Sequence, residues 1–152
     1  DMVPRVTYMG NPYSCAFSGK ALTFFSSRNL ASPELLEQRT IEERIDSVFY
    51  SDEYAAAIVR NTNGEYGSRL EVYKKDGTHV LSKEFNFEYT HADFDGDLII
   101  LYNEDSCRIY NMSGTEKFDA TFDFPVSKIR KGRFPGTLVV TGPQQMRELK
   151  LR

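Results

Sequence analysis

One pattern recurs along the sequence: an aromatic residue, then a turn-forming residue two positions later, then an apolar run. Four segments follow it, namely FSGKALTFFS, YSDEYAAAIV, FDGDLIILYN and FPGTLVVTGP, which begin at Phe17, Tyr50, Phe94 and Phe134. Glycine or aspartate stands at the turn position of each segment, and both residue types tolerate the backbone angles of a tight turn. The segments recur about every forty residues, which is typical of proteins built from one small β-sheet per repeat.

A second landmark follows in the two middle repeats, where alternating apolar residues lead to a tyrosine and then to a glycine. LEVYKKDG contains Tyr73 and Gly77, and CRIYNMSG contains Tyr110 and Gly114. This order predicts a strand entering a hairpin, and a further alternating run follows each turn. Each repeat therefore predicts antiparallel strands in the arrangement of a propeller blade. The predicted fold class is all-β, a β-propeller-like repeat of about four blades.

The repeat predicts a single propeller-like domain, or a fragment of one, over residues 1–152. Its units are approximately 10–44, 45–89, 90–125 and 126–152. The fourth unit ends one strand short, because MRELKLR occupies the position of its third strand. The run PRVTYMG near the start could complete that blade, or could finish a blade outside the sequence. Because the sequence begins at Asp1 without an initiating methionine, we expect a piece of a longer protein.

The segment ASPELLEQRTIEERI allows two predictions. Ser32, Pro33 and Glu34 suit the capping residue and first turn of a helix. Against a helix, the apolar residues of the segment do not form a stripe at helical spacing, and the repeat requires an outer strand here. A strand or irregular structure and a short helix both remain open.

The stretch HADFDGDLIILYNE resembles a calcium-binding loop in its carboxylate spacing. Asp93, Asp95 and Asp97 alternate, and Glu104 stands at the twelfth position counted from Asp93. Such a loop needs a glycine at its sixth position, where Leu98 stands, and the residues after it form an apolar strand. The equivalent turns FSGK and FPGT carry no carboxylate cluster. We therefore predict no metal site, and interpret the aspartates as solvated residues of a strand end and turn.

No catalytic or cofactor-binding constellation is evident, so we predict no catalytic residue and no cofactor. His79 and His91 lie outside any zinc-type Cys/His spacing and are interpreted as surface or turn histidines. No G-x-S-x-G elbow, phosphate loop or dinucleotide fingerprint occurs. The basic cluster SKIRKGR is interpreted as a solvated turn. Cys15 and Cys107 are expected to be buried and reduced, although the sequence leaves their redox state open.

Charge and hydropathy exclude two classes of partner. The net charge is −3, from 19 basic and 22 acidic residues, without the basic excess that phosphate binding requires. No nucleic acid partner is therefore expected. The longest apolar runs, such as LIILY, are far shorter than the roughly 20 residues of a membrane helix. We expect no membrane span in this chain.

The runs IDSVFYSDEYAAAIV and LEVYKKDGTHVLSKEFNFEYTHADFDGDLIILYNEDSCRIYNMSGTEKF resemble the C-terminal part of the bacterial proteins grouped as domain of unknown function family 5711. The resemblance covers roughly residues 40–152, and the start more weakly. It implies a propeller-like β region behind an N-terminal membrane anchor that this chain lacks. It also implies an extracytoplasmic location, mostly in Gram-positive gut bacteria. The family has no assigned catalytic residues to carry over.

Two functional hypotheses follow. The first is a non-catalytic binding or scaffold module, because propellers present loops on two rims to protein or carbohydrate partners. The alternative is a carbohydrate-active or other enzyme subunit with a loop-built site. Exposed aromatic residues such as Tyr13 or Tyr66 would indicate carbohydrate. Because an open arc of blades leaves strand edges exposed, we also expect a homodimer, unless the chain closes on itself.

Overall fold

The computed structural model describes residues 5–9, 12–26, 28, 34–60 and 66–151, with side chains from residue 9 onward. Every regular element within these ranges is a β-strand, and the all-β propeller-like prediction is confirmed. The strands are β1 Arg5–Tyr8, β2 Tyr13–Phe17, β3 Ala21–Ser26, β4 Glu34–Thr40, β5 Ile45–Tyr50, β6 Tyr54–Arg60, β7 Ser68–Lys74, β8 His79–Phe85, β9 His91–Asp95, β10 Leu98–Tyr102, β11 Ser106–Asn111, β12 Glu116–Thr121, β13 Lys128–Lys131, β14 Thr137–Thr141 and β15 Met146–Lys150.

The strands form four antiparallel sheets in which sequence neighbours are also neighbours in space. Three sheets have four strands each, in the orders β1-β2-β3-β4, β5-β6-β7-β8 and β12-β11-β10-β9, and the fourth has the order β13-β14-β15. The chain divides into two compact units, Asp1–Asn86 and Phe87–Arg152, here called unit 1 and unit 2. Each unit contains two sheets. The predicted single domain and its four repeat boundaries stay predictions.

The core of unit 1 lies between its two sheets. On β3, Leu22 and Phe24 are fully buried, whereas the intervening Thr23 is partly exposed, so the first sheet buries one face. On β6, all side chains from Ala55 to Val59 are buried. A continuous apolar run is the expected pattern of a strand that is covered on both faces. The strand β6 is therefore covered on both of its faces.

The core of unit 2 has the same construction. Every side chain of β10 is buried, as expected for its uninterrupted apolar sequence LIILY. On β14, Leu138 and Val140 are fully buried, whereas Val139 between them is partly exposed. Leu138 and Val140 pack in one cluster with Ile100 of β10 and Ile109 of β11. The fourth sheet thus buries only one of its faces.

Two predictions about individual segments can now be compared with the structure. Residues Glu34–Thr40 form β4, so the strand prediction is correct for this part, and Ser32 and Pro33 lie outside the described residues. Backbone pairing with β3 outweighs the helical composition of the segment. Arg5–Tyr8, within PRVTYMG, pairs with β2 in the first sheet, so its proposed role in completing the fourth blade is wrong.

The four repeat segments do not occupy equivalent places in their sheets, because the first and the last differ from the two in the middle. Phe94 lies opposite Ile99 in the ladder of β9 and β10 and is buried. The equivalent Phe134 lies in the longer connection between β13 and β14, where it is 60% exposed. In the first sheet the aligned hairpin is β2-β3, the middle pair, because β1 precedes it. The repeat therefore describes the two middle sheets more closely than the outer two.

Candidate functional site

An open cleft of about 450 Å³ in unit 2 is a candidate binding site, here called the acidic cleft. Three loops form it: the segment before β9, the turn between β10 and β11, and the segment before β13. Its lining residues are Glu88, Tyr89, Thr90, His91, Asn103, Glu104, Asp105 and Val126. The volume lies in the range of about 300–1,000 Å³ that is usual for binding pockets.

Hydrogen bonds of Asn103 hold two of these loops together. Its Nδ2 donates to the carbonyl oxygen of Glu88 over 2.7 Å, which ties the segment before β9 to the β10–β11 turn. Its Oδ1 accepts from the backbone N–H groups of Asp105 and Ser106, at 3.1 and 2.9 Å. The third loop joins through the N–H of Val126, which donates to the carbonyl oxygen of Glu104 over 2.7 Å. The walls of the acidic cleft are therefore preorganised by the protein's own polar groups.

An aromatic pair lies beside these loops. The imidazole of His91 stacks on the ring of Tyr102 with 4.8 Å between centroids and 8° between planes. Thr90 Oγ1 lies 3.0 Å from Nδ1 of His91 and helps to fix the ring. Burial, with the charge of Asp93 as a smaller cause, raises the pKa of Tyr102 above its ordinary value. The phenol is therefore a neutral partner for the imidazole.

The lining has one sign of charge. Glu88, Glu104 and Asp105 are exposed carboxylates, and neither lysine nor arginine is among the lining residues. Carboxylates that share an open cleft attract cations and the N–H groups of basic side chains. The cleft is also open to solvent, whereas pockets for small cofactors bury most of their ligand. This arrangement suits a basic segment of a larger partner.

A smaller cleft of about 240 Å³ lies in unit 1 and is lined in part by Tyr13 and Lys75. The ammonium of Lys75 lies 5.2 Å from the centroid of the Tyr13 ring, within range of a cation–π contact. The same ammonium is 3.3 Å from Oε1 of Glu53. The ring of Tyr13, a candidate carbohydrate platform, is thus occupied by a lysine of its own chain. Tyr66, the other candidate, is exposed.

A polar network surrounds the buried carboxylate of Glu71 on β7. Its Oε1 accepts hydrogen bonds from Nε of Arg69 at 2.8 Å and from the hydroxyl of Ser82 at 2.5 Å. Its Oε2 lies 2.9 Å from Nε2 of His79. In a serine hydrolase the hydroxyl bonds to the histidine and the histidine to the carboxylate. Here the serine donates to the carboxylate itself, so the three residues do not form a nucleophile-activating triad.

Arg69 extends this network to a second carboxylate. Its Nη1 donates to Oε1 of Glu43 over 2.8 Å. That hydrogen bond lowers the pKa of Glu43, and it raises the pKa of Arg69, although burial of the guanidinium opposes the second effect. Burial, followed by the charge of Glu71, raises the pKa of the neighbouring Tyr73. The network holds fixed charges inside unit 1, which favours a structural role.

The carboxylates with calcium-loop spacing lie in different places. Asp95 and Asp97 flank Gly96 in the β9–β10 turn, where Gly96 has a φ of +61°. Glu104 follows β10, so a strand of five residues, about 17 Å long, separates it from that turn. Within the described ranges, no group of three or more His, Cys, Asp or Glu side chains is placed to hold a metal ion.

The turn aspartates contact the basic cluster instead. Asp95 Oδ2 accepts a hydrogen bond from the backbone N–H of Lys131, and Asp97 Oδ1 lies 3.7 Å from the Lys131 ammonium. Lys128 and Arg130 of the same cluster are exposed on β13. The contacts of Lys131 therefore link the second sheet of unit 2 to the turn of the first.

The two cysteines are buried and form no disulfide. Burial raises the pKa of Cys15 to about 12, and burial with a smaller contribution from the charge of Asp119 raises that of Cys107 to about 12. A thiol with so high a pKa is a poor nucleophile and a poor metal ligand. Both cysteines therefore act as small core residues.

Sequence reasoning missed both the acidic cleft and the Glu71 network. The signal for Glu71 was available, because a charged residue stands inside the apolar run LEVY, where burial requires a partner. The acidic cleft gave no comparable signal. Its residues come from three separate loops, and only strand pairing brings Glu88 beside Asn103.

Similarity to solved structures extends over nearly the whole chain. Kluyveromyces lactis Hsv2 with loop 6CD replaced by a Gly-Ser linker is 11% identical, with a TM-score of 0.60 over 95% of this chain and 48% of that one. Saccharomyces cerevisiae Sqt1 is 13% identical, with a TM-score of 0.58 over 97% and 44%. Both are β-propeller proteins. A Kuenenia stuttgartiensis hydrazine synthase chain is 7% identical, with a TM-score of 0.55 over 95% and 44%.

This chain spans less than half the length of each of those three solved chains. Identities this low show the shared fold and nothing of activity. No curated protein matches the sequence. Among the described residues, no helix is long and apolar enough to cross a membrane. The family predicted from the strand motifs is confirmed: the sequence matches the family of unknown function DUF5711 over residues 1–151, and the chain belongs to that family.

Proposed function

We propose that this chain is a non-catalytic binding or scaffold module that holds a basic segment of a partner protein in the acidic cleft. The observation that carries the proposal is the cleft itself, about 450 Å³ in volume and lined by Glu88, Glu104 and Asp105. Propellers commonly bind partners through loops at the ends of their strands, and the acidic cleft is built from such loops. The hydrogen bonds of Asn103 support the proposal, because preformed walls reduce the entropy lost on binding.

The aromatic pair beside the cleft adds a second recognition element. A guanidinium can hydrogen-bond to a carboxylate through its edge while its face lies on an aromatic ring. The exposed imidazole of His91, held against the buried ring of Tyr102, offers such a ring next to the carboxylates. An arginine-containing segment therefore matches the cleft better than a lysine-containing one.

The setting of the module is the second part of the proposal. The resemblance of the sequence implies a membrane anchor joined to a propeller-like region. We place this chain on the outer side of the membrane, attached through a segment outside these residues. The test is protease treatment of intact cells that produce the parent protein. Digestion without lysis is expected, and digestion only after lysis would contradict the location.

Binding can be tested with a peptide-display library selected against the purified chain. Peptides containing arginine are expected to be enriched, and their binding should weaken with added salt. The double variant Glu88→Gln/Glu104→Gln should weaken that binding about tenfold, since it removes two charges from the cleft. Glu34→Gln/Glu53→Gln removes two exposed charges from unit 1 and serves as the matched control.

Two outcomes would contradict the proposal. The first is selection of peptides that bind the cleft variant as tightly as the unchanged chain. The second is enrichment of no peptide, combined with glycan binding that depends on Tyr66. That result would favour the carbohydrate alternative. We also propose that the chain self-associates. This interaction involves the strand edges and does not depend on the acidic cleft.

A further inference from the structure

Strand β15, the outer strand of the fourth sheet, has one edge bonded to β14 and, among the described residues, no hydrogen-bonded neighbour on the other, here called its open edge. The N–H of Gly142 donates to the carbonyl oxygen of Gln145 over 2.8 Å, and the N–H of Leu151 donates to that of Gly136 over 2.6 Å. These bonds mark the two ends of the β14–β15 ladder. In an antiparallel pair, opposed residues alternate between exchanging hydrogen bonds and exchanging none.

That alternation identifies the backbone groups on the open edge. Counted from either end of the ladder, Arg147 and Leu149 exchange hydrogen bonds with Val140 and Leu138 of β14. The backbone N–H and C=O groups of the alternate residues must point away from β14. Those residues are Met146, Glu148 and Lys150.

The open edge has room for one more strand. Among the described residues, β14 is the only hydrogen-bonded neighbour of β15, and this sheet has three strands where the others have four. Glu148 and Lys150 are exposed, whereas Leu149 between them is half-buried and packs against the core cluster of unit 2. A strand added here would therefore extend an existing core as well as a ladder.

The residues Glu148, Leu149 and Lys150 are complementary to a second copy of themselves. If two copies of β15 pair antiparallel with Leu149 opposite Leu149, each Glu148 faces a Lys150 of the other copy. Both charged residues have outward backbone groups, so each facing pair can exchange two hydrogen bonds. The leucines then form a non-hydrogen-bonded pair, in which side chains approach most closely.

Charge disfavours the neighbouring registers. Hydrogen bonds can form only in registers where residues with outward backbone groups in one copy face such residues in the other. From one such register to the next, the two-fold axis moves by one residue. Centring the pair on Glu148, on Arg147 or on Lys150 sets that residue opposite its own copy. Like charges directly opposite each other are destabilising. Charged residues on an edge strand normally discourage pairing with other chains. Here they disfavour these neighbouring registers and favour the one centred on Leu149.

We propose that a second copy of this chain docks on the β15 edge, antiparallel, with Leu149 at the two-fold axis and Glu148 facing Lys150. This inference deepens the self-association part of the proposed function and rests on it, but it is independent of the acidic cleft. The paired segment is short. The dimer is therefore weak, and the dimeric fraction rises with the protein concentration in solution or at a surface.

Charge reversal tests the register directly. Glu148→Lys sets lysine opposite lysine, and Lys150→Glu sets glutamate opposite glutamate, so each single variant should raise the dimer dissociation constant about tenfold or more. An equimolar mixture of the two variants restores opposite charges at both positions and should recover a heterodimer. Lys128→Glu, at the other edge of the same sheet, is the matched control and should dimerise like the unchanged chain.

The measurement is molar mass by sedimentation equilibrium over a wide concentration range. Rescue in the mixture, with loss in each variant alone, supports the proposal and cannot arise from misfolding. Unchanged dimerisation of both single variants would overturn the β15 register while leaving self-association intact. A mass of one chain at every concentration would overturn both, and would leave peptide binding at the acidic cleft unaffected.

Discussion

Nε2 of His79 lies 2.9 Å from Oε2 of Glu71, a carboxylate that the second sheet buries. The same carboxylate accepts hydrogen bonds from Arg69 and Ser82, so both of its oxygens are satisfied. A buried charge is tolerated only when its hydrogen bonds are complete. The stability of unit 1 therefore depends on this side chain more than on any exposed ion pair.

Replacement of Glu71 tests that dependence. Glu71→Ala leaves the partly buried guanidinium of Arg69 and the hydroxyl of Ser82 without their common acceptor, and should lower the free energy of unfolding by about 2–3 kcal/mol. Because the sequence contains no tryptophan, circular dichroism in urea is the suitable measurement. Glu53→Ala breaks an exposed contact with Lys75 and should cost less than about 1 kcal/mol. Equal losses for the two variants would contradict the structural role of Glu71.

Glu43 should contribute to acid sensitivity. The hydrogen bond from Arg69 lowers the pKa of Glu43 below its ordinary value of 4.5, so the folded chain holds this proton more weakly than the unfolded chain. The resulting contribution to the free energy of unfolding is fully present above pH 4.5 and is lost as the pH falls through the lowered pKa of Glu43. Glu43→Gln should therefore flatten the acid limb of stability against pH. Urea midpoints measured across this limb would contradict the prediction if both proteins gave the same slope.

The thiols of Cys15 and Cys107 should be nearly inert in the folded chain. Burial raises the pKa of each to about 12, so little thiolate forms in mildly alkaline buffer. Reaction with a thiol reagent should be at least about a hundredfold slower than in urea. Cys15→Ala and Cys107→Ala each leave one thiol, which assigns the rates. The raised pKa of Cys15 also contributes to the free energy of unfolding below pH 9.0, and this contribution is lost as the pH rises above 9.0 toward the raised pKa.

Gly77, in the turn between β7 and β8, should not accept a side chain. Its φ is +92°, and an added Cβ would lie 2.5 Å from Cβ of Glu37 on β4. Gly77→Ala should therefore cost about 3 kcal/mol or more, from backbone strain together with a steric clash. Gly136 has a φ of +74°, and apart from its chain neighbours no atom of the described residues would lie within 4 Å of an added Cβ. Gly136→Ala isolates the strain alone, at about 1–2 kcal/mol, and thermal melts compare the two.

The sequence predicted those parts of the fold that depend on local pattern. The run LIILY indicated an apolar strand, and it forms β10, in which every side chain is buried. The predicted turn at Gly96 follows from the backbone freedom of one residue. Phe134 shows the limit of this approach. Its repeat aligns with that of Phe94, but the length of the connection, which no pattern encodes, decides whether the ring is buried.

Local sequence patterns could not predict the candidate site, because it is made of contacts between residues far apart in the sequence. Glu43, in the connection between β4 and β5, meets Arg69 of β7, and Glu88 meets Asn103 across two loops. Neither pair has a characteristic sequence spacing. The helical composition around Leu35 misleads for a related reason, since the pairing of β4 with β3 is decided by tertiary structure.

The side chain of Asn103 also makes the acidic cleft sensitive to chemical ageing. Deamidation would replace its Nδ2 donor by a carboxylate oxygen, which would then face the carbonyl oxygen of Glu88 that now accepts from it. An attractive contact between two loops would become a repulsive one, while a further negative charge would appear at the cleft. The age of a protein molecule would thus be recorded in the geometry of its own binding loops.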